Sequence, residues 1–499
     1  MDDQNRFILL ASLWIVYTIA LLLVIWAAVA GGRALRGVLY TTPLPGPARS
    51  SLADMARSAA AYGPVLLVPT GRFSSTIVLC DPTAIAHFYA NAPVIYRSTE
   101  FTQKSTKNLV GRGLIWADGE HHLIHRQALA PMFCSSAVDG FCPIFFSMAF
   151  KVQDMWNGAL DTRPRGMVVD IQHWMNSVVL DSLGVAGFAH DFESLKGDYC
   201  TVTAAFYTLR ATSTNSPSDI IFRLASTIPI LRDIPTAKNR IIKDFQAYMN
   251  HIAEDVLERN APTKSHSEDK SILGLLIKSL AQNPAGEFRL SHAEVVAQNT
   301  LLFSGFETTA VSLSWLLVEL AKNPAIQDKL RNELRGSGNL EYSEIVKLPY
   351  LQAVIDESLR LHPPICDTIR VAAEDDVIPV SSPIITRTGE TVTSIHVAKG
   401  TVLTVPIQYI NTSETFWGPG ALKFDPGRWW QDKSNIDFGN RHLSFGRWAA
   451  RVPRGRLLIG TYQDCAFYHC GQICALAARW TTNGHRVNCG TYPAAQSGW

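Results

Sequence analysis

The chain has almost no net charge: 45 Lys and Arg stand against 43 Asp and Glu among 499 residues. A nucleic-acid footprint needs an excess of cations gathered on one face, and no such stripe is present. Cysteine is scarce, nine in all, with no regular spacing before residue 460, which argues against a disulfide scaffold. No internal repeat marks a solenoid or a propeller. Two further absences are local. No charged residue falls between Phe7 and Ala30. Between Arg447 and Trp499 there are six Arg but no Lys, no Glu and one acid, Asp464, while four of the nine cysteines collect there.

With 47% hydrophobic residues the chain can bury a large core. The uncharged stretch 7–30, at about 1.5 Å per residue, is long enough to cross a bilayer core of roughly 30 Å as a helix. It exceeds the apolar region of a secretory signal, and Ala-Gly-Gly-Arg is a poor cleavage site, so a membrane anchor over residues 1–32 is expected. Arg33, Arg36 and Arg49 follow the span, whereas Arg6 alone, with Asp2 and Asp3, precedes it. That asymmetry puts the body on the cytosolic side, where thiols stay reduced. There the acceptor sequence Asn411-Thr412-Ser413 goes unglycosylated. Thr42-Pro43-Leu44-Pro45-Gly46-Pro47 reads as a stiff extended segment within a linker over 33–49.

Ser291 to Pro324 is the strongest helical pattern, opened by Ser291 and Glu294 as a capping box and closed at Asn323-Pro324. Its middle is apolar around most of the circumference, which marks a helix through a core. A second helix is expected from Pro349 to just before Pro363-Pro364. Between Asp367 and Thr404, β-branched runs at 377–380, 384–386 and 401–404, punctuated by Gly and Pro, predict a small sheet. Segments 261–270 and 336–338 read as surface loops.

On the second helix Glu357 and Arg360 are three residues apart, on one face, where they can pair. Alone, such a pair is an ordinary surface ion pair. On the long helix, Ser304-Gly305-Phe306-Glu307-Thr308-Thr309 sets an acid and hydroxyls inside an apolar run. Either Thr308 bonds back to its own helix and Glu307 reaches solvent, or the group is functional. His122 and Arg126 lie one helical turn apart, and Arg370 follows the second helix.

Taken in order, Gly305-Phe306-Glu307-Thr308-Thr309, Glu357-Ser358-Leu359-Arg360, Phe424-Asp425-Pro426-Gly427-Arg428 and Leu443-Ser444-Phe445-Gly446 resemble a microsomal, fungal-type cytochrome P-450 over residues 40–446. The resemblance implies a mainly α fold, a triangular helical prism with a small β-sheet, plus the N-terminal transmembrane helix at the endoplasmic reticulum. It implies a catalytic domain over 50–446. Its cofactor is haem b, held at its propionates by His122, Arg126 and Arg370 and at its ligand loop by Phe445 and Gly446. Glu357, Arg360 and Arg428 lock together behind the haem as a buried network. Gly305 leaves room for dioxygen, Thr308 holds oxygen and water, and Glu307 relays protons. The implied reaction is oxidation of an apolar small molecule, in fungal secondary metabolism, with electrons from NADPH through a membrane reductase.

The family's ligand loop reads Phe-Gly-x-Gly-x-Arg-x-Cys-x-Gly, and its thiolate is the iron ligand. Aligned on Phe445-Gly446, the slots for Gly, Arg and Cys hold Trp448, Ala450 and Val452. Valine cannot ligate iron. The single codon of Trp448 followed by the first bases of Ala449, read one nucleotide later, forces a glycine into the empty slot. The same shift permits arginine at position 450, cysteine at 452 and glycine at 454, then an apolar run through 474. A frameshift just after Gly446 is therefore expected, with 447–499 an aberrant tail. Cys465, His469, Cys470 and Cys474 do not match a zinc spacing. The competing expectation is a catalytically inactive, membrane-anchored binding or scaffold protein that lacks the axial cysteine.

Overall fold

A computed structural model describes residues 41–47, 61–70, 75–92, 94–162, 167–197, 237–260, 269–282, 290–335 and 347–430, with isolated positions outside those ranges, Ser444 among them. The chain divides into two compact units, Met1–Arg97 with Asp367–Pro406, and Ser98–Cys366 with Ile407–Trp499.

The first unit holds the strands β1 (Val65–Pro69), β2 (Ser75–Leu79), β3 (Tyr96–Arg97), β4 (Thr368–Ala372), β5 (Asp376–Ile385), β6 (Thr391–Val397) and β7 (Val402–Val405), with the helix α1 (Pro82–Asn91). One sheet runs β1-β2-β7-β4-β3, in which only the β2–β7 pairing is parallel. β5 and β6 form a separate antiparallel hairpin, irregular between Pro379 and Ile384. The sheet expected between Asp367 and Thr404 is thus present; β1 and β2 had not been anticipated. Asp81 starts α1 by accepting from the Ala84 amide at 3.0 Å, and Pro82 fills the first helical position, where no N–H is needed.

Residues 42–46 carry no regular secondary structure and are hydrogen-bonded within this unit, and the Leu44 amide donates to the Thr42 carbonyl at 2.8 Å. The Leu67 amide donates to the Pro45 carbonyl at 2.9 Å, Thr42 and His396 exchange bonds, and Leu44 is fully buried. A methyl group on Gly46 would fall 1.9 Å from the Leu67 carbonyl oxygen, so only glycine fits this approach. Among the described residues no helix is long and apolar enough to cross a membrane. The predicted anchor lies outside the described residues apart from isolated helical positions such as Trp14 and Leu21.

The second unit is helical: α2 (Glu100–Val110), α3 (Gly119–Leu129), α4 (Ser135–Asp161), α5 (Ile171–Phe188), α6 (Ala237–Arg259), α7 (Ile272–Gln282), α8 (His292–Val296), α9 (Thr300–Lys322), α10 (Pro324–Arg335), α11 (Pro349–Leu361), α12 (Ile407–Thr412) and α13 (Glu414–Trp417). Its core centres on α5 and α9, where Met175, Val178, Val179 and Leu180 join Phe306, Ala310, Leu313 and Leu316 in one apolar cluster. Apart from Ala310, each such side chain, once buried, stabilises the fold by roughly 1.5–3 kcal/mol before conformational entropy is subtracted. The buried Asp181 carboxyl, its pKa raised by burial, accepts from the Ser194 and Leu195 amides at 2.8 and 3.0 Å.

The capping box at Ser291 and Glu294 is present, and α11 begins at Pro349 as expected. The long helix, however, is interrupted by a 3-10 turn at Ala297–Asn299. The Gln298 side-chain amide donates at 2.7 Å to the Glu294 carbonyl, the acceptor its own backbone N–H would use in a continuous α-helix. The predicted loops at 261–270 and 336–338 fall mostly outside the described residues.

Candidate functional site

The second unit contains one fully buried charged network. Glu357 and Arg360 are 0% exposed and Arg428 is 8% exposed. Helical spacing sets Glu357 and Arg360 on one face of α11, and the pair is bidentate, Nε to Oε2 and Nη2 to Oε1 at 2.9 Å each. Arg360 Nη1 donates to the carbonyls of Asn411 and Ala421 at 2.7 and 2.6 Å, and Nη2 reaches the Lys423 carbonyl at 3.3 Å. All five guanidinium donors are therefore used.

Glu357 also accepts from the Asp425 amide at 2.9 Å, Arg428 Nε at 3.4 Å and Trp429 Nε1 at 3.2 Å. Arg428 is completed by the carbonyls of Trp417 and Gly420 at 3.1 and 3.0 Å. A buried ion set is tolerable only when every member is satisfied in this way. The structure brings together the three residues that the sequence grouped, and adds Ser444, which donates to the Leu359 carbonyl at 2.6 Å.

On α9, Gly305 is buried and Glu307 and Thr308 are half-buried within a single turn. Thr308 donates its hydroxyl to the Ser304 carbonyl at 2.7 Å, and Ser304, Ser312 and Ser314 make similar back-bonds to Leu301, Thr308 and Ala310. The bond uses the Thr308 proton and leaves its oxygen able to accept a further one.

On α3, Arg126 is buried and His122 half-buried. Between them His125, unmarked by sequence reasoning, is 1% exposed. Its Nδ1 accepts from Gln298 Nε2 at 3.0 Å, which places the proton of the neutral ring on Nε2, 3.6 Å from Glu294 Oε1. Burial pushes the His125 pKa down, against the pull of Glu294. Arg370 belongs to the sheet unit, on β4, half-buried, with Nη1 donating to the Ile369 carbonyl at 3.2 Å. Phe445, Gly446 and Val452 lie outside the described residues.

A cavity of about 510 Å³ opens between α2, α6 and α8, bordered by Arg112, Asn250, Glu254, His292 and Glu294. Its lining reaches Ala297 but includes none of the residues of α9, so Thr308 does not border it. Among the described residues no group of His, Cys, Asp and Glu could hold a metal ion. Cys80 is buried with its pKa pushed up to about 12, an inert thiol.

Residues 46–447 match the sequence profile of the Cytochrome P-450 family. The cytochrome P-450 monooxygenases claP and claQ of Ampulloclitocybe clavipes are each 42% identical over 430 residues, 81% of this chain and 80% of the relative. Cytochrome P-450 monooxygenase 205 of Postia placenta is 31% identical over 398 residues, 75% of this chain and 70% of the relative.

Proposed function

The chain belongs to the cytochrome P-450 family, and from that premise we propose that its gene encodes a monooxygenase of an apolar small molecule, with the ligand loop put out of frame after Gly446. The family's members are haem-thiolate monooxygenases that draw electrons from NADPH through a reductase. Haem supplies the oxidising chemistry when bound.

The residues present fit that group on one side only. The satisfied Glu357-Arg360-Arg428 network and the buried Arg126 suit it, because they offer a rigid frame and a cation for a propionate. The donor set as written does not fit, because Val452 has no lone pair where the family has a thiolate. No catalytic step is therefore assigned to this sequence as it stands.

The observation that carries the reading is the hydrogen bond of Ser444, two residues before Gly446, to the Leu359 carbonyl, together with a family match that ends at residue 447. In the frame-restored protein Gly305 would give room above α9, and Thr308 and Glu307 would hold and pass protons. His122, Arg126 and Arg370 would take the propionates, and Phe445 and Gly446 would open the loop. The domain plan is an anchor over 1–32, a linker over 33–49, the catalytic domain over 50–446 and the displaced tail 447–499. The charge asymmetry around 7–30 favours a single pass with a cytosolic body, and the resemblance to microsomal members points to the endoplasmic reticulum. A place in secondary metabolism agrees with relatives that are fungal monooxygenases.

Sequencing the transcript across the codons for Phe445 to Leu457 tests the proposal. A restorable frame returns the cysteine; a confirmed written frame sinks it. In that case the second reading stands, a membrane-anchored binding or scaffold protein, favoured by Val452 itself.

A further inference from the structure

We propose that His125 and Gln298 form a proton-operated switch that decides whether the helix running from α8 into α9 is broken or continuous.

The break at Ala297–Asn299 turns on one side-chain amide. Gln298 Nε2 donates twice, to His125 Nδ1 at 3.0 Å and to the Glu294 carbonyl at 2.7 Å. The second bond occupies the acceptor that a continuous α-helix gives to the Gln298 backbone N–H. Both side chains are 1% exposed, and Gln298 Oε1 and His125 Nε2 have no hydrogen-bond partner among the described residues. A buried polar atom left in that condition costs about 1–3 kcal/mol. The neutral arrangement therefore leaves one acceptor and one donor idle.

A proton on Nδ1 reverses the pairing. The ring nitrogen becomes a donor and can no longer accept from Gln298, so the amide turns over and presents Oε1 to it. The idle acceptor is then used, and Gln298 Nε2 leaves the Glu294 carbonyl to the backbone N–H. The Nε2–H of the charged ring is drawn to Glu294 Oε1, 3.6 Å away. Against the push of burial, the bonds from Ser291 hold the Glu294 pKa down, so that carboxylate stays charged. Burial pushes the His125 pKa down as well, so the switch turns below about pH 6.5.

The other elements around the pair bring no rival partner. From α3 itself come His121, which disfavours the proton, and Arg126 and His122. Packed on α3, α7 carries Lys278 alone, which donates to the Asp269 carbonyl at 2.6 Å. α6 brings Glu254, 3.3 Å from His292, and α9 has no ionisable residue before Glu307. The turn also forms part of the cavity wall, where a methyl group on Gly111 would come 3.1 Å from Ala297 Cβ. A 3-10 turn rises about 2.0 Å per residue against 1.5 Å in an α-helix, so straightening moves Ala297 along that wall.

Hydrogen exchange of the peptide 293–301 in the full chain, corrected for the intrinsic rate at each pH, tests the switch. From about pH 7.5 to about pH 5 its protection is expected to rise roughly threefold, opposite in sign to acid loosening of the fold. A flat or falling parent overturns the proposal. His125→Gln keeps an acceptor for Gln298 but cannot titrate, so its protection should not respond to pH; a rise like the parent's overturns the assignment to His125. Gln298→Glu accepts from the ring and cannot donate to the Glu294 carbonyl, so it should show the acid level of protection at both pH values. The parent's low level at pH 7.5 in that variant overturns the role of the amide. Should Gln298→Glu fail to fold, Gln298→Met, which neither donates to the carbonyl nor pairs with the ring, decides: no pH response supports the switch, and a retained one overturns it.

Discussion

Arg360 shows how much of the site one residue can fix. Its five donors end on Glu357, Asn411, Ala421 and Lys423, so Arg360→Met leaves a buried carboxylate and three carbonyls short of partners. A loss of about 3–5 kcal/mol is expected, read as a lower urea midpoint. His125 gives a pH dependence of definite sign. Burial depresses its folded pKa, so as pH falls through about 6.5 the unfolded chain binds the proton first and the native state loses stability. His125→Gln removes that loss; its unfolding midpoint should gain on the parent between about pH 8 and 5, and a constant gap would contradict the assignment. Glu357, Arg360 and Arg428 were legible because helical spacing and motif order expose them. His125 was not, since its partner Gln298 lies 173 residues away and neither residue type announces a contact.

At the scale of elements, start and stop chemistry was readable and interruption was not. Ser291, Glu294, Pro324 and Pro349 mark ends that the structure keeps. The 3-10 turn at Ala297–Asn299 escaped because periodicity records side-chain faces, whereas the break turns on the Gln298 amide occupying a backbone carbonyl. Ser291→Ala, which removes the capping bonds, should cost about 1 kcal/mol and quicken exchange in the first turn of α8 without touching α11. β2 was missed because its partner β7 lies more than 300 residues on, and β1 joins the sheet only through β2, so the burial of this pair is not a local property. Gly46→Ala should push the proline segment off β1 at a cost of about 1–3 kcal/mol, seen as faster exchange of the Leu67 amide.

For the whole molecule, the body and the ligand loop are separable questions. The chain as written should unfold as a folded protein yet give no thiolate carbonyl band, and the frame-restored chain should give one; a thiolate band from the written chain would refute the assignment of Val452 to the ligand slot. The mainly helical plan with a small sheet was legible from hydrophobic period and Gly-Pro punctuation, because those signals are local.

Among the described residues, the bonds of Arg360 and Glu357 close on atoms between residues 357 and 429. Among those residues the network thus clamps one helix, α11, to chain 51 to 72 residues further on, a long-range staple made of charge rather than of apolar packing.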